Sequence, residues 1–175
     1  DEDTDPGDSI TLIRCDAWQD TNGTVVVSWD NCLYDSDEHF NGTGIFTYTI
    51  QDTSGFPATA TVEVTVSPVN DDPVANPNTD TTAYEIPTTT NVVSNDTDID
   101  GDVLIVTACD MATNGSVFIQ WTTSCEFTPN TWFSGTGTYQ YMISDGNGGT
   151  DTGSVEITVL SQWNQAPTST GTWVT

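Results

Sequence analysis

The sequence contains no lysine, one arginine (Arg14) and one histidine (His39) among its 175 residues. Nucleic acid and anionic membranes are therefore excluded as partners, because nothing on the chain can neutralise their charge. The same scarcity removes the parts for phosphate clamping and for most general-base chemistry. His39 follows Asp35-Ser36-Asp37-Glu38 and reads as a solvated loop residue. With no CxxC spacing and one histidine, a zinc site cannot be assembled. Gly146-Asn147-Gly148-Gly149 has no helix after it and reads as a turn rather than a nucleotide loop. No apolar run approaches the length of a membrane span, so membrane insertion is not expected. No segment carries a helical stripe. The chain is not expected to be an enzyme.

What is abundant is acid. Twenty-six carboxylates give a formal charge of −25, and Asp outnumbers Glu by 20 to 6. Many of the aspartates fall in short clusters between apolar runs. Asp is both a turn former and a short oxygen ligand, so clustering favours a bound divalent cation. Adaptation to high salt is the rival explanation, and it predicts acids spread over every exposed face. The four cysteines (Cys15, Cys32, Cys109 and Cys125) are an even set in a Thr-rich chain. They read as disulfides and place the protein outside the cell or at its surface, secreted. Asp1 in place of an initiating Met is what a processed, exported chain would show.

The chain repeats itself with a period of about 93 residues. Asp3-Thr4-Asp5-Pro6-Gly7-Asp8 is matched by Asp96-Thr97-Asp98-Ile99-Asp100-Gly101-Asp102, and Cys15-Asp16 by Cys109-Asp110. Asn22-Gly23 is matched by Asn114-Gly115, Trp29 by Trp121, and Cys32 by Cys125. Phe46-Thr47-Tyr48-Thr49-Ile50 is matched by Tyr139-Gln140-Tyr141-Met142-Ile143, Asp52 by Asp145, and Val62-Glu63-Val64-Thr65-Val66 by Val155-Glu156-Ile157-Thr158-Val159. Apolar residues alternate with Thr, Ser and Gln, the period of half-buried strands. Phe46, Tyr48 and Ile50 should face inward, with Thr47 and Thr49 outward. The Asn-Gly pairs read as hairpin turns, and Trp29 and Trp121 as strand residues packed on the sheet. The economical disulfide pairing is Cys15–Cys32 and Cys109–Cys125, one per repeat, with two other pairings open. The fold class is all-β, two tandem β-sandwiches.

Val69-Asn70-Asp71-Asp72-Pro73-Val74-Ala75, then Asn95 through Asp102, then Ser144 through Gly149 resemble the bacterial cadherin-like tandem repeats of surface adhesins and extracellular matrix proteins. The resemblance implies Greek-key, Ig-like sandwiches with Ca2+ held by acidic loops near the repeat junctions. Carried over, Asp96, Asp98, Asp100 and Asp102 form the aspartate loop, and Asp3, Asp5 and Asp8 its first-repeat counterpart. Asn70, Asp71 and Asp72 form the linker and Asn164 opens the next one. Asp52 and Asp145 follow the aromatic strands, and Glu85 stands where the family has an acid in its first strand. Two departures stand out. The first loop has no equivalent of Asp100, and the second linker, Trp163-Asn164-Gln165-Ala166-Pro167, lacks the paired acids.

These readings divide the chain into a first repeat at 1–68, a second at 69–161 and a segment at 162–175 that resembles the opening of a further repeat. Pro73 to Val93 supplies the second repeat with an opening strand that the first lacks. The 162–175 segment of one copy is thus expected to complete the first repeat of the next in a head-to-tail homopolymer, with Pro167, Trp173 and Val174 as contacts. The alternative is a piece of a longer covalent array, whose neighbouring repeats are the partners. The expected function is a structural subunit of a calcium-stabilised filament or adhesin stalk. A carbohydrate-binding accessory module of a secreted enzyme, using the six tryptophans on a surface polysaccharide, is the second reading.

Overall fold

The computed structural model describes residues 9–164. The chain divides into two compact units, Asp1–Val69 and Asn70–Thr175. The described residues are strands and turns apart from two single turns of 3-10 helix, Val92–Asn95 and Gln162–Asn164. Among them no helix is long and apolar enough to cross a membrane.

The second unit is a complete sandwich. Its strands are β6 (Asn78–Thr82), β7 (Thr88–Asn91), β8 (Ile105–Thr113), β9 (Gly115–Trp121), β10 (Ser124–Pro129), β11 (Gly135–Ser144) and β12 (Thr150–Val159). One sheet runs β6-β12-β11-β8 and the other β7-β10-β9. The opening strand is shared between them. β6 pairs parallel with β12, Asn78 opposite Val155 and Thr82 opposite Val159. The chain then crosses over, and β7 pairs antiparallel with β10. Asp80 on β6 accepts the hydroxyls of Thr88 (3.0 Å) and Thr90 (2.9 Å), which ties the two halves of this strand together. Period-two alternation sends Tyr139, Tyr141 and Ile143 of β11 and Val155, Ile157 and Val159 of β12 inward, all 2% exposed or less. With Val92, Leu104, Val106, Cys125 and Phe127 they form one contiguous core.

The first unit repeats the plan with fewer strands. These are β1 (Thr11–Ala17), β2 (Gly23–Ser28), β3 (Asn31–Ser36), β4 (Gly42–Gln51) and β5 (Pro57–Val66), arranged as β1-β4-β5 and β2-β3. They correspond to β8 through β12. Among the described residues nothing corresponds to β6 or β7. Among the unit's described large apolar residues, Phe46 alone is fully buried, at 4%. Its ring stacks on Tyr34 at 6.2 Å, as Tyr139 stacks on Phe127 at 6.0 Å in the second unit. The glycine opposite each pair has no room for a side chain. A Cβ on Gly44 would lie 2.8 Å from Tyr34, and one on Gly137 2.7 Å from Phe127.

The disulfides pair Cys15 with Cys32 and Cys109 with Cys125, and each joins the two sheets of its own sandwich. Three expectations are corrected. The Asn-Gly pairs are not hairpin turns: Asn22 and Asn114 sit in the left-handed region (φ 48° and 59°), where the chain leaves one sheet for the other. Trp29 is the turn residue between β2 and β3, with φ 57° and 93% exposure, and Trp121 ends β9 at 66%. Neither packs on a sheet. Thr49 is 6% exposed rather than solvated, because Arg14 (3.4 Å) and the Thr59 hydroxyl (3.1 Å) cover it.

Candidate metal centre

Three segments of the second unit meet at one end of its sandwich: the linker 70–72, the loop 96–102 between β7 and β8, and the turn 145–149 between β11 and β12. Each is shaped by its own acids. Asp98 Oδ1 accepts the N–H groups of Asp100 (2.9 Å) and Asp102 (3.3 Å), so the loop wraps around its carboxylate. Gly101, at φ 80°, makes the reversal. Asp145 Oδ1 accepts the N–H groups of Asn147 (2.8 Å), Gly148 (3.1 Å) and Gly149 (3.0 Å).

Hydrogen bonds then fasten segment to segment. Asn70 donates its side-chain amide to Asp145 Oδ2 (2.6 Å), the Asp71 N–H reaches Asp100 Oδ2 (2.8 Å), and the Asn147 amide reaches Asp102 Oδ2 (2.6 Å). Gly149 leaves the space over which Asp72 and Asp145 converge, since a Cβ there would lie 2.9 Å from Asp72 Oδ1. The Asn70 amide, with the backbone N–H groups helping, holds Asp145 below the ordinary carboxylate range against the opposing effect of burial.

Carboxylate oxygens of Asp98, Asp100 and Asp102 lie within 4.8 Å of one another. Asp98 Oδ2 is buried with no hydrogen-bond partner. A buried, unpartnered carboxylate oxygen beside two more carboxylates is unfavourable unless a cation accompanies it. The grouped donors are all oxygen, from Asp98, Asp100 and Asp102, and the hydrogen bonds from the Asn147 amide to Asp102 and from the Asn70 amide to Asp145 bring the neighbouring linker and turn against them. That chemistry fits calcium, which takes six to eight oxygen ligands from carboxylates, carbonyls and waters. It does not fit zinc, which prefers nitrogen and sulfur.

The expected residues are thus only partly brought together. Asp96 turns back into the sandwich, where its Oδ1 accepts the Asn76 N–H (2.7 Å) and lies 2.9 Å from the Tyr141 hydroxyl. Burial raises its pKa, partly offset by those two hydrogen bonds. Asp71 takes part through its backbone N–H. Glu85 lies beyond the other end of the unit, because β6 runs parallel to β12 and away from the 145–149 turn. There, in the left-handed region at φ 57°, it accepts the Trp132 N–H at 3.0 Å. The Asn164 backbone belongs to the closing 3-10 turn at that same far end. Asp52, in the first unit, caps its own turn by accepting the Phe56 N–H at 2.7 Å. Asp3, Asp5, Asp8, Pro167, Trp173 and Val174 lie outside the described residues. Sequence reading missed Asn147, although its place in Asp145-Gly146-Asn147-Gly148-Gly149, between two positive-φ glycines, was the available signal.

A disulfide-joined Ig-like β-sandwich, present in tandem, is the class of fold this chain defines. Within that class the chain belongs to the bacterial Ig domain family, which matches it twice, over residues 1–65 and 70–158. Among solved structures it is similar to human mucin-like protocadherin EC1-2, with 15% identity, a TM-score of 0.50 and coverage of 89% of this chain and 85% of that one. It is also similar to human CDH23 EC21-23, with 14% identity, a TM-score of 0.54 and coverage of 89% and 63%. The endo-fucoidan hydrolase MfFcnA4, from glycoside hydrolase family 107, aligns at 16% identity and a TM-score of 0.39, over 89% of this chain and 24% of that one. The chain therefore spans about a quarter of that hydrolase's length. At these identities the likeness concerns fold. No curated protein matches the chain.

Proposed function

We propose that this chain is an extracellular, non-catalytic structural element of a surface filament or adhesin stalk, with its second repeat braced by calcium. The observation that carries the reading is the meeting of linker, 96–102 loop and 145–149 turn around Asp98, whose Oδ2 is buried without a partner. Asp72, Asp98, Asp100, Asp102 and Asp145 would hold the ion, with Asn70 and Asn147 positioned to complete its shell. Bound calcium supplies the positive charge that these carboxylates otherwise lack, since the chain's one arginine sits in the other unit. The protein's own part is to fix three segments in place before the ion arrives. The disulfides and the family membership support an extracellular setting.

Calorimetric titration with calcium, paired with thermal unfolding in calcium and in chelator, tests this reading. Calcium at a hundredfold excess over Kd should stabilise the second repeat by about 2.7 kcal/mol. Asp98→Asn combined with Asp100→Asn should weaken binding at least tenfold while leaving the chelator-state melting temperature unchanged or higher. Absence of both heat and thermal shift at millimolar calcium would overturn the proposal.

Exposed tryptophans favour a second reading. Trp29 and Trp121 occupy equivalent places in the two repeats and present their rings to solvent, as a sugar-stacking surface would. Polysaccharide binding that persists in chelator, and is lost in Trp29→Ala/Trp121→Ala, would favour an accessory carbohydrate-binding module.

A further inference from the structure

The first unit contains an open groove of about 510 Å³ lined by Ile10, Leu12, Phe46, Tyr48, Ile50 and Val62 together with Cys32, Asn31 and Asp30. Moving 93 positions along the chain turns Cys32, Phe46, Tyr48, Ile50 and Val62 into Cys125, Tyr139, Tyr141, Ile143 and Val155, each 1% exposed or less. All five positions are thus sealed in the second unit, whereas in the first only Phe46 is buried and Cys32, Tyr48, Ile50 and Val62 stay half-buried.

The second unit also shows what seals them. Its opening segment lays β6 along β12 from Val155 to Val159 and β7 along β10 from Ser124 to Phe127. It then places Val92, fully buried, in the core, with its N–H bonded to the Thr123 carbonyl at 3.0 Å. Asn78 donates to the Tyr141 hydroxyl at 3.2 Å. In the first unit the corresponding segments are Val62–Val66 of β5, paired on one side with β4, and Asn31–Tyr34 of β3, paired on one side with β2; no described strand pairs with the other edge of either. The vacancy is thus shaped for an extended segment that bonds to both edges and buries apolar side chains between them.

Two segments of this chain lie outside the described residues, and their composition separates them. Residues 1–8 carry five acids, which a groove floored by apolar side chains and already holding Asp30 disfavours. Residues 165–175 carry no charge at all in a chain of −25, are rich in Thr as the β6–β7 region is, and contain Trp173 and Val174. We propose that residues 165–175 of a second copy fill this groove, pairing with β5 and β3 and seating Trp173 or Val174 against Phe46, Tyr48 and Ile50. The contact joins different surfaces on the two copies, so it propagates head to tail. This rests on the structural role proposed above and deepens it by naming the partner; it does not depend on the cation.

The experiment compares the full chain with the full-length variant Trp173→Asp/Val174→Asp, by light scattering and electron microscopy over a range of concentrations. A synthetic peptide of residues 164–175 serves as the probe. The chain should form linear oligomers that grow with concentration. The variant should remain monomeric and bind one peptide, with slowed hydrogen exchange at the Val62–Val66 amides. A peptide carrying both Asp substitutions should bind at least tenfold more weakly. The proposal is overturned if the variant assembles as the parent does, or if the variant takes up no peptide. It is equally overturned if the parent stays monomeric at every concentration while the variant binds peptide, since the segment would then fill the groove of its own chain. A calcium titration of the monomeric variant reads the metal centre separately, so failure of strand donation and failure of calcium binding are distinguishable.

Discussion

At the scale of single residues, Tyr141 joins the opening strand to the body of the second sandwich. Its hydroxyl lies 2.7 Å from the Asn76 carbonyl and 2.9 Å from Asp96 Oδ1, and accepts from Asn78. Tyr141→Phe removes the partner of groups that stay buried, so it should cost about 1–3 kcal/mol, measured by denaturant unfolding. Titration offers an independent check. Burial, followed by the hydrogen bond to Asp96 and its charge, moves the Tyr141 hydroxyl well above its ordinary range, and burial also raises Tyr139. A raised folded-state value means that the fold favours the neutral phenol. The stabilisation is whole below pH ~10, where unfolded tyrosine titrates, and is lost as pH rises toward the folded values. Ultraviolet titration should therefore show Tyr139 and Tyr141 ionising late, together with unfolding. Two phenolates appearing early, in the still-folded protein, would contradict the packing described for this core.

At the scale of elements, the strands were legible because alternation is a local signal. Phe46, Tyr48 and Ile50 read as inward from sequence, and Phe46 is buried with Tyr48 and Ile50 half-buried. The acidic segments were also legible, as Asp spacing in a loop. What could not be read is how one strand is placed by another. Asp96 follows the same alternating pattern as Asp98 and Asp100, yet Tyr141 and Asn76, far from the loop in sequence, draw it inward. Trp29 and Trp121 carry apolar rings that suggest packing, but the β2–β3 connection places Trp29 on a turn and Trp121 stands exposed at the end of β9. Thr49 is polar and was expected outside, until a bulge in β1 between Leu12 and Arg14 sets the arginine over it. The disulfides lead to a prediction at this scale. Each closes a loop of similar length, 17 and 16 residues, and chain entropy assigns such a loop about 3 kcal/mol. Replacing Cys15 and Cys32 by Ser should abolish the first unit's cooperative transition, because its core holds little else. Replacing Cys109 and Cys125 should lower the second unit's transition while leaving it cooperative. Differential scanning calorimetry separates these outcomes, and equal loss in the two units would contradict the contrast between their cores.

At the scale of the whole molecule, a charge of −25 on 175 residues has two remedies with different signatures. Diffuse repulsion between acids spread over the surface is screened by any salt, and the Debye length falls from about 10 Å at 0.1 M to about 3 Å at 1 M. Carboxylates that lie within 4.8 Å of one another at Asp98, Asp100 and Asp102 are a different case. They repel at roughly 1 kcal/mol per pair in water and about 4 kcal/mol at a protein surface, and ions at 0.1 M hardly screen so short a separation. A coordinated divalent ion cancels that repulsion directly. Millimolar calcium should therefore raise the second unit's melting temperature more than molar sodium chloride does. The first unit's response should follow ionic strength alone to the extent that its acids remain dispersed, as Asp16, Asp30 and Glu63 are on separate strands and turns. Asp98→Asn/Asp100→Asn should erase the calcium-specific part of the rise and leave the salt-dependent part in place. If sodium chloride alone reproduced the full calcium effect in both units, the acids would be serving as a general salt adaptation, and the clustering at the end of the second sandwich would have to be explained by turn formation alone.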